Sequence, residues 1–496
     1  MAINTTSFTN FSKQLTNIDL WGSSPPVPPW GKAPTEAKMK TALESGEPLL
    51  PLVYRNIYVA PLEQQLHNVF TEMQQAASQT GEPLSSFIEP YTAVSYEHAN
   101  PRIGPQLGRF LAVISNLYRS FLDKSKRTAA QVPVKEQLPP LAFFQNMGDQ
   151  GPYTIPCDDT QSLFGAAVGI VSLPSTYRDD PVIWAALAHE TGGHDVLHAD
   201  TNLLPELEEG VRNLFGGTPA PGKKPTDQQF LGLLWSYWMD EAASDVYGLL
   251  NIGPTFALNL AAFFAALIAR FGMDQHKPIG RFPFLSADSG PDAPNDPALD
   301  VHPTDLLRLY LAIGVIQSLT NLSPATRTAY ISDIETIAGL CAQGATEITI
   351  NGAISIDRDH WLTVKNFSAP LQQMAEAAKK VGGFIATAKL KALDEHTIQD
   401  IETWDDGDES TANAIATAML ANQSVVNQGD DAQLLAGATM AVLKQPAQYA
   451  QVTQLLNDAL DASFAGDPIW SKPERDHVMA RGRFAVPKVR KAKSGA

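Results

Sequence analysis

Apolar side chains recur at intervals of three and four residues along most of the chain, which is the spacing of one buried helix face. In the first third, this spacing predicts helices over residues 62–77 and 105–124. Beyond residue 370 the chain is rich in Ala, Leu and Gln, and we predict helices to about residue 464. The pattern therefore favours a mainly helical protein.

Three stretches depart from this spacing. The first 60 residues are polar and then proline-rich, which predicts an extended arm lying on the body of the protein or a flexible leader. Acidic residues 405–409 predict a loop between the C-terminal helices. Asn351 and Gly352 predict a β-hairpin, because Asn-Gly supports a type I′ turn.

The middle of the chain reads as one strand followed by three helices. Residues 163–173 predict the strand. The next helix opens with Asp180 as N-cap and Pro181 at the first helical position. A second helix is predicted over residues 228–250, and a third, almost entirely apolar, over 255–271.

The first of these helices carries three of the ten histidines within ten residues, His189, His194 and His198. Glu190 directly follows the first of them. Zinc hydrolases commonly use H-E-x-x-H, in which histidines four apart share a helix face. Here the histidines are five apart and would diverge by about 140° on a regular helix. We expect a π-bulge, made easy by Gly192 and Gly193, to restore the shared face.

The second helix carries candidate partners for these histidines. Glu241 and Asp245 are four residues apart, so they lie on one face, and Asp240 directly precedes Glu241. Carboxylates on the inner side of an aromatic helix are costly to bury unless they are paired or bind a metal. Together the two helices indicate a metal site.

These motifs resemble two families of zinc peptidases. The first is similar to the H-E-x-x-G-H motif of the dipeptidyl peptidase III family, with Gly193 at the glycine. Residues 240–245 are similar to that family's E-E-x-R-A-E/D motif and to the N-E-x-x-x-D motif of thermolysin-like enzymes. Both families are gluzincins. The chain has Asp240 and Ala243 where the first family has glutamate and arginine, so gluzincin chemistry is better supported than dipeptidyl peptidase activity.

The resemblance implies one Zn²⁺ held by His189, His194 and Glu241, with Glu190 as general base. It also implies that Asp245 orients a ligand histidine. Asp240, which directly precedes the ligand glutamate, is expected to lie next to the ligands without binding the metal.

Three further residues receive roles. The His302-Pro303 pair, followed by Arg308, resembles a segment downstream of the zinc helix in several zinc peptidases. His302 is expected to stabilise the oxyanion, with Arg308 supporting it or binding a carboxylate. Tyr237, one turn before Glu241, is expected to face the substrate. In gluzincins the strand before the zinc helix commonly forms the cleft edge, although residues 163–173 fit an ordinary core strand equally well.

Several alternatives stay open at this stage. His198 could replace His189 as a ligand, and glutamates 206, 208 and 209 are other candidates for the third ligand. The His194-Asp195 doublet is also found in HD-type metal-dependent phosphohydrolases, with His98 and Asp245 as their further ligands. A non-catalytic helical protein with a structural zinc is the remaining interpretation.

Composition limits the partners. The 53 acidic and 36 basic residues give a net charge of −17, which argues against nucleic acid and anionic membranes as main partners. Cys157 and Cys341 predict buried thiols, not a disulfide framework. No classical signal peptide is visible, so we expect a cytoplasmic protein, with export by another route left open. The partner expected is a peptide or protein substrate, and the sequence does not predict the oligomeric state.

The sequence therefore predicts an α+β fold, mainly α with a small β-sheet, with a zincin-like catalytic core between helical flanking regions. The predicted function is that of a zinc metallopeptidase. The expected regions are an extended arm (1–60), an N-terminal helical region (61–135), the catalytic domain (136–330), a hairpin with a C-terminal helical domain (331–470) and a basic tail (471–496).

Overall fold

A computed structural model describes residues 5–16, 34–101, 103–122, 138–145, 152–200, 202–220, 223–271, 286–287, 299–357 and 360–470. Within these ranges the protein is mainly helical, with two small mixed sheets, which confirms the predicted α+β class. The proline-rich run at 23–30 and the basic tail lie outside the described residues. The domain boundaries stay predictions.

Helices fill the described N-terminal part. They are α1 (Thr5–Thr16), α2 (Glu36–Gly46), α3 (Leu52–Tyr54), α4 (Ala60–Gln64), α5 (Leu66–Thr80), α6 (Leu84–Tyr96) and α7 (Gly104–Leu122), with 3₁₀ turns at Glu47–Leu49 and Glu97–Ala99 and a π turn at Arg55–Val59. The two predicted helices correspond to α5 and α7. The extended arm is wrong for the described part of residues 1–60, because Phe8, Phe11 and Leu15 lie on one face of α1 and are buried against the body.

A three-stranded mixed sheet precedes the histidine-rich segment. It contains β1 (Leu141–Gln145), β2 (Tyr153–Ile155) and β3 (Ile170–Pro174), with α8 (Cys157–Phe164) between β2 and β3. The central strand is β3, which runs parallel to β1 and antiparallel to β2. One edge of the sheet is therefore β2.

This sheet corrects the strand predicted over residues 163–173. Phe164 belongs to α8, and the helix ends because Gly165 adopts a left-handed conformation with φ 84°. The strand begins only at Ile170. Since β3 has a neighbour on both sides, it is a core strand and not the edge of a cleft.

The histidine-rich segment contains three kinds of helical turn in succession. A 3₁₀ turn at Pro181–Ala185 leads to a π turn at His189–His194 and then to α9 (Asp195–Ala199). The proline occupies the first turn as predicted, but Asp180 does not cap it with its side chain. Its carboxylate instead accepts a hydrogen bond from the Tyr449 hydroxyl at 2.6 Å.

The next helices are α10 (Leu203–Leu214), α11 (Asp227–Tyr237), α12 (Met239–Ile252) and α13 (Thr255–Phe271). The single helix predicted over residues 228–250 is wrong, because the chain leaves helical geometry at Trp238, where φ is −88° and ψ is 12°. Gly253 ends α12 with φ 77°, as its position in the sequence predicts. The predicted third helix is confirmed as α13.

A second mixed sheet lies beside α11. It contains β4 (Ser286–Ala287), β5 (Glu347–Asp357) and β6 (His360–Pro370), and α14 (Asp305–Ser318) and α15 (Pro324–Ala342) fall between β4 and β5. The hairpin is confirmed, but its predicted turn is wrong. Asn351 and Gly352 lie inside β5 at an irregularity in the register, and the chain reverses after Asp357. Gly352 serves close packing instead, since a Cβ there would lie 2.6 Å from the Leu299 Cα.

The C-terminal helices are α16 (Leu371–Thr387), α17 (Ile398–Ile401), α18 (Asp406–Leu420), α19 (Asp431–Lys444) and α20 (Tyr449–Gly466), with 3₁₀ turns at Lys391–Leu393 and Pro446–Gln448. The acidic loop predicted at 405–409 is the start of α18. Asp405 caps it by accepting hydrogen bonds from the Gly407 and Asp408 backbone amides. Acidic side chains in a first turn are favourable because they face the positive end of the helix dipole.

Helix α12 lies at the centre of the protein. It contacts the π turn on one side and α13, α14, α16 and α19 on others. All of its residues except Asp240 are buried. Among the described helices, none is both long and apolar enough to cross a membrane.

Burial of α1 can be tested by truncating Phe11, whose side chain is fully buried. Phe11→Ala should lower the free energy of unfolding by about 3–5 kcal/mol, because a large aromatic leaves a cavity. Lys13→Ala, on the exposed side of the same helix, should change it by less than about 0.5 kcal/mol. Equal denaturant midpoints for the two variants would contradict the packing of α1.

Candidate metal centre

The wide turn at His189–His194 brings the two histidines together. Its π-helical geometry confirms the predicted bulge. The Nε2 atoms of His189 and His194 lie 3.1 Å apart, and the two rings meet edge to face with centroids 4.7 Å apart. Two imidazoles five residues apart thus point at one position.

The turn lies against α12 at very close range, and Gly193 is the residue that allows it. A Cβ at this position would lie 2.4 Å from the Ser244 Cβ and 2.5 Å from its Cα. A side chain of any kind would push the two elements apart. The glycine is therefore needed for the close approach between the turn and α12.

Glu241 on α12 completes a group of three potential ligands. Its Oε2 atom lies 3.0 Å from the His189 Nε2 and its Oε1 atom 3.6 Å from the His194 Nε2. One ligand atom from each of the three residues lies within 4.8 Å of the others, and all three side chains are largely buried. This group could hold a metal ion.

The donor atoms fit a divalent cation. Two nitrogens bound to one tetrahedral zinc at about 2.0–2.1 Å stand about 3.3 Å apart, close to the 3.1 Å between the Nε2 atoms. The Glu241 Oε2 atom is buried and lies 3.0 Å from the His189 Nε2; when the His189 proton is on Nδ1, this oxygen faces a lone pair and has no hydrogen-bond donor among the described groups. A buried carboxylate oxygen without a donor is costly, and a cation would satisfy it.

Both histidines have a carboxylate behind them. Asp245 Oδ1 lies 3.1 Å from the Nδ1 atom of His189, and Asp240 Oδ1 lies 3.1 Å from the Nδ1 atom of His194. Each carboxylate favours a proton on Nδ1, which leaves the Nε2 lone pair free for a cation. The facing Nε2 lone pairs repel each other unless a proton or a metal lies between them.

The carboxylates and imidazoles of the site also shift each other's pKa values. Burial disfavours a charged His189, but Glu241 and Asp245 outweigh it and raise the pKa of this imidazole to about 10. Burial likewise opposes ionisation of Glu241, yet the neighbouring histidines hold its pKa well below the usual range. A site that binds extra protons in this way also attracts a divalent cation, which must displace them.

Arg308 lies behind the candidate ligands and binds a carboxylate of the protein. Its Nε and Nη2 atoms each donate to Asp245 at 2.6 Å, and Nη2 lies 3.3 Å from the His189 Nδ1. The side chain is only 4% exposed. Because both donated hydrogen bonds go to a carboxylate of the protein itself, these contacts position Asp245 and do not support a role of Arg308 at the oxyanion.

Glu190 lies beside the ligands without joining them. Its Oε1 atom is 4.0 Å from the His189 Nε2. Its Oε2 atom accepts a hydrogen bond from the Thr154 hydroxyl at 3.0 Å, and the same hydroxyl lies 2.9 Å from the Glu190 carbonyl oxygen. Thr154 has no signature in the sequence, because β2 is only three residues long and its pairing depends on β3.

His302 lies on the other side of Glu241. Its Nε2 atom is 3.4 Å from the Glu241 Oε1, and its side chain is 49% exposed. Asp300 orients the ring, with its Oδ1 atom 2.7 Å from the His302 Nδ1. His302 belongs to a motif in the sequence, whereas Asp300 lies in a Pro/Asp-rich stretch without periodicity and was not predicted.

Tyr237 has a structural use that differs from its predicted one. Its hydroxyl donates to the Leu299 carbonyl at 2.6 Å, and the neighbouring Trp238 indole donates to the Asp300 carbonyl at 2.9 Å. Together they hold the segment that carries His302. The hydroxyl of Tyr237 is therefore occupied, and substrate binding through it is not supported by these contacts.

The alternative ligands lie elsewhere. His198 lies between Asp158 and Asp240, at 3.4 and 3.5 Å, and is not part of the three-residue group. Glu206 accepts hydrogen bonds from the backbone amides of Lys391 and Ala392. These contacts leave His189 as the partner of His194.

The phosphohydrolase arrangement is also not assembled among the described residues. Asp195 is fully buried and accepts a hydrogen bond from the Cys157 backbone amide at 2.7 Å. His98 stacks on Trp470 with ring centroids 5.4 Å apart. Neither belongs to the group around His194.

No protein-family model matches this chain, and no curated protein or solved structure matches it either. The candidate site therefore depends on the geometry of its own residues.

The close approach at Gly193 predicts a large effect of a single methyl group. Gly193→Ala should weaken zinc binding at least about tenfold, since the turn must move away from α12 and from Glu241. Gly339→Ala is a matched control, because a Cβ there meets nothing within 4 Å. Calorimetric titration with zinc should separate the two variants, and equal affinities would show that the approach does not position the ligands.

The buried ion pair predicts a second effect. Arg308→Met should lower the free energy of unfolding by about 3–5 kcal/mol, because the buried Asp245 carboxylate loses its guanidinium partner and keeps only the contact with the His189 imidazole. Adding Asp245→Asn removes that charge and should recover part of the loss in denaturant unfolding. A double variant less stable than Arg308→Met would contradict this account.

Proposed function

We propose that this protein is a zinc-dependent metallopeptidase of the gluzincin kind. The observation that carries the proposal is the convergence of His189, His194 and Glu241. Beside them lies the carboxylate of Glu190, which is not one of the three candidate ligands. Among the described residues, no other His, Cys, Asp or Glu joins the three-residue group. Three protein ligands with one position left open are typical of catalytic zinc sites, whereas structural sites use four.

The donor set favours zinc among the divalent ions. Two imidazoles and one carboxylate are borderline ligands that suit zinc, while magnesium and calcium prefer oxygen alone. The carboxylates behind both histidines are also typical of zinc sites, where they fix the tautomer of the ligand. When bound, the ion would polarise the scissile carbonyl and lower the pKa of a coordinated water.

The roles of the side chains follow from their positions. Glu190 accepts the proton of the attacking water and delivers it to the leaving amine, as a general base and then a general acid. His302, held by Asp300, donates a hydrogen bond to the oxygen that gains negative charge. Asp240, Asp245 and Arg308 hold the ligands in place.

The substrate class proposed is a peptide or protein. Its backbone would pair with the β2 edge, because β2 borders the sheet and its Thr154 contacts Glu190. Strand addition binds a peptide mainly through backbone hydrogen bonds, so it makes few demands on side chains. The strand at the edge of the cleft is then β2 and not β3, because β3 lies inside the sheet.

A structural zinc site is the competing function, and substitutions separate the two. Glu190→Gln should retain zinc but lose peptide hydrolysis by at least about a hundredfold, because the base is removed and the ligands are not. Glu241→Ala should lose both. Zinc content by elemental analysis and digestion of a peptide library, each with and without chelator, are the measurements.

Glu209→Gln, an acid outside the ligand group, is the control and should leave both quantities unchanged. Hydrolysis by Glu190→Gln at the parental rate would show that the base is assigned wrongly. A parent protein that binds zinc and cleaves no peptide in the library would favour the structural site.

A further inference from the structure

The hydroxyl of Thr154 contacts Glu190, although Thr154 is not one of the candidate ligands. The threonine lies in the middle of β2, and its hydroxyl is part-buried. Two oxygens of Glu190 lie within hydrogen-bond distance of it, the carboxylate Oε2 at 3.0 Å and the backbone carbonyl at 2.9 Å. Both are acceptors, so the threonine hydroxyl is the donor to this residue.

This contact makes the two carboxylate oxygens of Glu190 different. Oε2 is engaged by the hydroxyl, whereas Oε1 lies 4.0 Å from the His189 Nε2 and faces the ligand group. Oε1 is therefore the oxygen of Glu190 that faces the candidate ligands, and the contact with Thr154 keeps it there.

We propose that Thr154 is a positioning residue for the general base. Its hydroxyl fixes the carboxylate of Glu190 so that Oε1 faces the candidate ligands. The inference rests on the proposed function for its catalytic consequence, but the contact itself can be tested without turnover.

The position of Thr154 on an edge strand adds a second consequence. A peptide that pairs with β2 would align the strand whose middle residue holds the base. Substrate binding and alignment of Glu190 would then depend on the same three residues, Tyr153–Ile155. Since misplacement of a catalytic group by about 1 Å can cost about a hundredfold in rate, this alignment matters for kcat more than for KM.

The experiment compares Thr154→Val, which removes the hydroxyl at nearly equal volume, with Thr154→Ser, which keeps it. In the zinc-loaded protein, Thr154→Val should lower kcat about 10- to 100-fold with KM changed less than about threefold. Thr154→Ser should restore kcat to within about threefold of the parent. Both variants should bind zinc as the parent does, because Thr154 does not contact the ligand atoms.

A second readout needs no catalysis. The ¹³C resonance of the Glu190 carboxylate, identified by its loss in Glu190→Gln, should shift in Thr154→Val and stay in place in Thr154→Ser. Thr160→Val is the matched control, because its buried hydroxyl donates to the Cys157 and Val168 carbonyls and lies outside the site. It should change neither the resonance nor kcat.

The outcomes separate this inference from the proposed function. If the parent cleaves no peptide, the proposed function fails, while the resonance still decides whether Thr154 holds Glu190. An unchanged resonance in Thr154→Val overturns the contact. A shifted resonance with parental kcat overturns the positioning role.

Discussion

The close packing of the π turn on α12 is the constraint on which the site depends. The turn supplies two imidazoles and the carboxylate of Glu190, which is not a candidate ligand. The helix supplies the third candidate ligand and both supporting aspartates. These groups meet only because Gly193 lets the backbones approach at Ser244. A regular helix would direct the two histidines to different sides, and a wider separation would take Glu241 out of reach.

Negative charge is concentrated at this contact and is only partly neutralised by the protein. Glu190, Glu241 and Asp245 are buried close together, Asp240 beside them is partly exposed, and Arg308 pairs with only one of the four. Burial alone would discourage ionisation of these acids, yet the neighbouring imidazoles and the guanidinium hold the pKa values of Asp240, Glu241 and Asp245 below their usual range. Such an arrangement is unfavourable for an isolated protein core and favourable around a divalent cation.

The candidate ligands could be found from the sequence because their spacing is local. His189 and His194 share one turn, Glu241 and Asp245 share one helix face, and the paired glycines favour the bulge. Thr154, Asp300 and the Asp245 partner Arg308 depend on contacts between distant segments, which periodicity does not report.

The errors in secondary structure have a similar origin. Asn351-Gly352 has a turn signature, but packing against Leu299 places it within a strand, and residues 405–409 cap a helix instead of separating two.

The segment before α14 links His302 to parts of the protein that carry no candidate ligand. Leu299 donates its amide to Ala353 of β5 and accepts from Tyr237, while Asp300 accepts from Trp238. The hairpin sheet thereby helps to hold the His302 imidazole in place, although about half of this side chain is exposed to solvent. Hairpin length and twist become a means of tuning His302 in engineered versions of this protein, without any change to the residues that surround the ion.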